Sequence, residues 1–142
     1  MFLGRFEHSV DIKGRVAVPA RFRDKLSGEL IITRGNDRCL YLFTEEAWEP
    51  LAQKLNALPT GDQDARNMRR AIFSAAEPVE LDKQGRIIIP DHLRKYASID
   101  GNVAVIGVGN YIEIWDLHSW NTLDDTIERN VDVIASHLSG QF

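Results

Sequence analysis

The nine residues Asp11-Ile12-Lys13-Gly14-Arg15-Val16-Ala17-Val18-Pro19 return 71 positions later as Asp82-Lys83-Gln84-Gly85-Arg86-Ile87-Ile88-Ile89-Pro90. Both copies read Asp, two variable residues, Gly-Arg, three apolar residues, Pro. Phe22-Arg23 and Leu93-Arg94 carry the echo onward at the same offset. A fixed-period echo marks each copy as one supersecondary unit. Two copies in 142 residues imply two halves related by a pseudo-two-fold axis, neither with enough core to stand alone.

The length suits one compact domain, and a chain of this size buries roughly 68% of its unfolded surface without needing staples. A single cysteine, Cys39, can form no internal disulfide, which fits a reducing compartment. Its place in an apolar strand predicts a buried, inert thiol. Met1 to Arg5 carries no long apolar run, and no stretch approaches the ~20 apolar residues of a membrane span, so neither a signal peptide nor a span is expected. The net charge of −4 argues against a generic polyanion binder. The charge is uneven, however. Residues 1–38 hold eight Lys and Arg against five acids, whereas residues 110–142 hold six acids against Arg129 alone. A chain acidic overall can still present a basic face, because the local field governs encounter.

Taken in order, Phe2 to Val10 alternates as a strand does. Asp11 to Gly14 is turn chemistry, with Gly supplying positive φ. Arg15 to Val18 reads as the returning strand, so the pair is expected to form a hairpin with a basic tip. Pro19 opens a short helix over 20–26. Strands are expected at 29–33 and 39–43, joined through Gly35-Asn36-Asp37. Thr44 is a candidate N-cap for a helix to about Asn56, with Trp48, Leu51, Ala52 and Leu55 at helical spacing. A second helix is expected over 62–76. Its Arg66, Arg69 and Arg70 lie mostly off the apolar stripe and read as intramolecular or inter-subunit partners for acids. The second half repeats the pattern: Glu77 to Leu81, the second turn, Ile87 to Ile89, a short helix after Pro90, strands at 102–108 and 111–115, and a helix capped by Asp116. Trp48 and Trp120 lie 72 apart, as do Leu51 and Leu123, so the echo reaches the helix closing each half. The expected division is 1–60 for the first half, 61–75 for a connecting helix and 76–142 for the second half.

The repeated turn admits two readings. Asp11 and Arg15, like Asp82 and Arg86, could simply close their loops as ion pairs, worth ~0–1 kcal/mol when exposed. Alternatively, each Asp props an Arg whose guanidinium is offered to an anion. Arg suits phosphates and guanine edges because its fork serves two acceptors at once. Lys13 and Lys83 would add charge, Gly14 and Gly85 would shape the turns, and Arg21 and Arg23 are candidate auxiliary phosphate contacts. A few such groups bind nucleic acid weakly, since affinity grows with the number of phosphates neutralised. An oligomer repeating the tip would compensate. The three tryptophans are expected in the core or an interface. Metal ligation is not expected, for His8, His92, His118 and His137 show no ligand spacing. No phosphate loop or nucleophile elbow is present, so nothing points to an enzyme.

The opening Met1 to Ser9, the stretch Asp11 to Arg23 and the second copy from Asp82 to Pro90 closely resemble the MraZ family across essentially the whole chain. That resemblance implies an α+β fold: two pseudo-symmetric β-rich halves forming a swapped-hairpin, AbrB-like β-barrel with flanking helices. It also implies a transcriptional regulator of the division and cell-wall gene cluster. Such a protein would form ring homo-oligomers, typically octamers, bind short direct repeats in double-stranded DNA, and work in the cytoplasm at the nucleoid without a cofactor. Carried over by position, the DNA-contacting residues are Asp11, Arg15, Asp82 and Arg86. The copies differ in charge, with Gln84 in the place of Lys13 and His92 in that of Arg21. Lys83 opposite Ile12 compensates only in part, so Arg15 is expected to contribute more than Arg86. A scaffold protein and an antitoxin-like binder of a protein partner remain the alternatives.

Overall fold

The computed structural model describes residues Met1–Phe142. Eight strands and five α-helices follow one another: β1 (Phe2–Ser9), β2 (Arg15–Ala17), α1 (Ala20–Arg23), β3 (Leu30–Arg34), β4 (Leu40–Thr44), α2 (Glu45–Asn56), α3 (Gln63–Phe73), β5 (Glu77–Val79), β6 (Arg86–Ile88), α4 (Asp91–Tyr96), β7 (Asn102–Gly109), β8 (Ile112–Asp116) and α5 (Leu117–His137). The fold is α+β, and every strand pairing is antiparallel. One sheet has six strands in the order β1-β7-β8-β4-β3-β5, and β2 and β6 form a separate two-stranded ribbon.

The two halves are interleaved. β1 pairs with β7, β2 with β6, β5 with β3 and β4 with β8, so each of these four pairings joins one half to the other. Only β3–β4 and β7–β8 are hairpins within a half. The registers carry the pseudo-symmetry. Val16 lies opposite Ile87, its own counterpart in the repeat, and Tyr41 lies opposite Glu113.

Two expectations need correction. The predicted hairpin of β1 with β2 is reduced to one bridge, Val10 with Val16. β1 instead spends its length on β7, from Phe2 opposite Gly109 to Ser9 opposite Asn102. The barrel implied by the resemblance is not closed either, because β1 and β5 are free edges of an open sheet. Pro78 lies within β5, where a proline suits an edge strand.

Alternation along the central strands sorts two apolar layers. Val103 and Val105 of β7, Ile112 and Ile114 of β8, Leu40 and Leu42 of β4 and Leu30 and Ile32 of β3 face a single core. That core also takes Val16 and Ile87 from the ribbon and Phe22 and Leu93 from α1 and α4. On the opposite face Ala104, Ile106 and Trp115 meet Trp120 of α5. Both faces of β7 are thus covered, which explains its nearly continuous apolar sequence. The helix ends follow sequence rules. Thr44 Oγ1 accepts from Ala47 N at 3.1 Å, Asp62 Oδ1 from Asp64 N at 2.8 Å, and Asp116 Oδ2 from Ser119 N at 3.0 Å. α1 is shorter than expected and ends at Arg23. Arg66, Arg69 and Arg70 do not find acids within the chain. Arg66 donates to Thr60 O, Arg70 to Asn67 Oδ1, and Arg69 to Leu55 O and Leu58 O, where it satisfies carbonyls at the end of α2.

Candidate nucleic-acid interface

Each repeated turn is organised by one carboxylate. Asp11 Oδ1 accepts from Lys13 N and Arg15 N, both at 2.9 Å, and Asp11 Oδ2 accepts from Arg15 Nε at 2.6 Å. The backbone closes the loop through Asp11 N to Arg15 O and Gly14 N to Asp11 O, each 2.9 Å. The second copy repeats this bond for bond. Asp82 Oδ1 accepts from Gln84 N and Arg86 N at 2.9 Å, and Asp82 Oδ2 from Arg86 Nε at 3.1 Å. Gly14 and Gly85 have φ of 83° and 75°, a left-handed conformation that glycine adopts without cost. The carboxyls of Asp11 and Asp82 are held below the usual aspartate range. The chief cause in each is the backbone N–H of the arginine four residues on, with the guanidinium adding to it.

The ribbon sets where the arginines point. Arg15 lies opposite Ile88 and Arg86 opposite Ala17, whereas Val16 and Ile87 between them are 1% exposed. Directly opposed residues share a face and neighbours alternate. Arg15 and Arg86 are therefore diagonal neighbours on the outward face of one ribbon, each side chain 31% exposed. With Nε bound to Asp, the terminal nitrogens point onward. Those of Arg15 have no protein partner, and Arg86 Nη2 reaches only Gln84 Oε1, at 3.5 Å. Lys13 and Lys83 are exposed at the tips, as is Ile12.

Of the auxiliary candidates, Arg21 lies over the Phe6 ring, 5.5 Å from its centroid. Its counterpart His92 lies 3.7 Å from Glu77 and within 3.2 Å of Ala75 O. Arg23 is exposed and sits against the second tip rather than its own. Arg94, which sequence reasoning did not place in the site, packs against the first tip. Its signal was the Leu93-Arg94 echo of Phe22-Arg23, but only the crossed topology says which turn it faces. Elsewhere Cys39 is buried, and burial pushes its thiol pKa up. No group of three or more His, Cys, Asp or Glu is gathered as a metal site would need, and no helix is long and apolar enough to cross a membrane.

Comparison with known proteins covers both copies of the turn. The family model described as "MraZ protein, putative antitoxin-like" matches twice, over residues 1–71 and 72–138. "Transcriptional regulator MraZ" of Thermomicrobium roseum is 45% identical over 139 residues, covering 98% of this chain and 98% of the relative. The protein of the same name from Herpetosiphon aurantiacus is also 45% identical over 139 residues, covering 98% of this chain and 97% of that one. Both halves of the sequence match, and the match runs nearly end to end: the chain belongs to the MraZ family.

Proposed function

We propose that this chain is a sequence-specific DNA-binding transcriptional regulator, with the β2–β6 ribbon and its two Asp-x-x-x-Arg tips as the reading head. The observation that carries this reading is the shared outward face of Arg15 and Arg86, each steadied through Nε by its own aspartate. A two-stranded ribbon fits the major groove, and the free side of an arginine fork matches phosphate oxygens or the O6/N7 edge of guanine. Asp11 and Asp82 act as supports, Gly14 and Gly85 shape the turns, and Lys13 and Lys83 add charge at the tips. The relatives' printed names agree with regulation of transcription.

On this reading the functional units are residues 1–60 and 76–142, joined by 61–75. The sites are short direct repeats upstream of the division and cell-wall gene cluster, and the protein works at the nucleoid in the cytoplasm. It needs no cofactor and performs no catalysis. Two tips neutralise few phosphates, so useful affinity requires several chains acting together, as in an octameric ring. The closing helix supports self-association. Its apolar stripe continues past Trp120 into Val131, Ile134 and Leu138, which are 52%, 42% and 41% exposed. The same uncovered stripe, with Asp124, Asp125, Glu128 and Asp132 beside it, favours one second reading, an antitoxin-like grip on a protein partner.

The two readings part on one residue. Arg15→Ala is expected to abolish retardation of a duplex taken from directly upstream of the protein's own gene, while size in solution stays unchanged. A gel-shift titration beside light scattering measures both. Retardation equal to that of the parent protein would take Arg15 out of the reading head, and a parent protein that leaves the duplex unshifted would end the DNA reading and leave the partner-binding one.

A further inference from the structure

Both tip glycines are buried although the turns around them are exposed, and in each case an arginine from the other half provides the cover. A Cβ on Gly14 would collide with the guanidinium of Arg94. A Cβ on Gly85 would come within 2.6 Å of Arg23 Cδ and 3.0 Å of Arg23 Cζ. Arg23 and Arg94 are counterparts in the 71-residue repeat, so this is one relation seen twice. The crossing follows from the ribbon. Val18 N donates to Gly85 O at 2.9 Å and Ile89 N to Gly14 O at 2.8 Å, so each short helix starts beside the opposite half's turn.

The two arginines are held differently. Arg94 donates to Ile89 O and, at 3.4 Å, to Asp91 Oδ1, and its side chain is 23% exposed. Its donors are largely committed to its own helix entry, under the Gly14 turn. Arg23 is exposed and makes no side-chain hydrogen bond or ion pair, which leaves five N–H donors for a ligand. The first tip holds Lys13 and Arg15 with Arg94 against Gly14; the second holds Lys83 and Arg86 with Arg23 against Gly85. The exchange thus gives the second tip a cation that its own half does not supply.

We propose that each tip is completed by the opposite half: Arg23 contributes a phosphate contact beside Arg86, and Arg94 is the positioning residue that holds the Gly14 turn from which Arg15 projects. This rests on the DNA-binding reading above. Phosphate is the ligand class because an exposed guanidinium with its donors unpaired, at the edge of a base-reading element, meets backbone oxygens first, and such contacts fix register on the duplex.

The test is a set of binding titrations on a duplex from directly upstream of the gene, at several salt concentrations, with each variant checked for size and fold. Arg23→Ala should weaken binding and lower the salt slope by about 1 for each tip engaged. Arg23→Lys should restore most of the loss, since a point charge serves a phosphate. Arg94→Lys should not rescue Arg94→Ala, because an ammonium cannot bridge a carbonyl and a carboxylate as a planar fork does. In Arg94→Lys, amide exchange should quicken at Gly14 and not at Gly85. The couplings should cross. Arg23→Ala with Arg86→Ala should fall short of the product of the single losses by about twofold or more, while Arg23→Ala with Arg15→Ala should multiply. Multiplicative losses in both pairs, or coupling of Arg23 to Arg15, with parent binding intact, would overturn this inference alone. A parent protein that does not bind the duplex at all would remove the DNA reading and this inference with it.

Discussion

Each turn depends on how one carboxylate divides its oxygens. In both tips Oδ1 takes two backbone amides and Oδ2 takes the arginine Nε, so the same group fixes the loop and aims the side chain. The two tasks separate chemically. Asp11→Asn keeps an acceptor for the amides but sets an NH2 against Arg15 Nε, donor facing donor. The expected outcome is a turn that still closes, a freed Arg15 and weaker DNA binding at unchanged melting temperature, read by titration beside thermal unfolding. Acid does more, because protonation weakens both tasks. The folded-state pKa of Asp11 and Asp82 is lowered, so their contribution is complete above the ordinary aspartate value of about 3.9. It is lost as pH falls below that value and through the depressed one. Acid titration followed at the Gly14 and Gly85 amides should show both tips loosening together below the ordinary range. A tip that kept its amide positions after the carboxylates of freely exposed aspartates had titrated, and far beyond, would refute the account. Gly14→Ala tests the backbone instead. It meets both a φ of 83° and the Arg94 guanidinium, and should cost roughly 1–3 kcal/mol in denaturant unfolding.

At the level of elements, the ribbon has a wet face and a dry one. Ile87 and Ile88 are adjacent and chemically identical, yet the first is 1% exposed and the second 57%. Ile87→Ala should therefore destabilise by about 2–5 kcal/mol. Ile88→Ala should stay within roughly 0.5 kcal/mol of the parent. Equal losses in denaturant unfolding would mean that the ribbon does not sit face-down on the core. This contrast marks where the sequence was legible. Periodicity and turn chemistry located the strands and the caps Thr44 and Asp116, because those are set by neighbours within a few residues. Partners were not legible. Phe2 to Val10 reads as a strand whichever edge it joins, and nearness along the chain points to β2 where the fold uses β7. Arg66, Arg69 and Arg70 show the same limit, since a sequence shows their charge but not the nearby oxygens that take their donors within the chain: Thr60 O, the α2-end carbonyls Leu55 O and Leu58 O, and Asn67 Oδ1. The tips were readable because Asp and Arg lie four apart and bond directly. Arg94 was not, because its turn belongs to the other half.

For the whole molecule, interleaving makes each half a poor protein alone. Residues 1–60 would keep the β3–β4 hairpin and α2 but lose every strand partner of β1 and β2 save the Val10–Val16 bridge. Their inner face, with Val16, Phe22, Leu30, Ile32, Leu40 and Leu42, would open to water. A chain near 60 residues has little margin even when its core is covered. A second copy of the same half could supply most of the missing partners, because β2–β6 and β4–β8 pair counterparts across the pseudo-axis: Val16 would meet Val16 in place of Ile87, and Tyr41 would meet Tyr41 in place of Glu113. The expected outcome is that residues 1–60 are unfolded when dilute and gain β structure with concentration as a two-chain species, followed by circular dichroism and sedimentation. Adding residues 76–142 should fold them at lower concentration, because that half brings β7 at full length for β1 and the 71-residue counterparts that evolved to fit. A first half folded as a monomer at high dilution would show that the crossed pairings decorate a self-sufficient unit, and would remove the reason for both tips to act as one site.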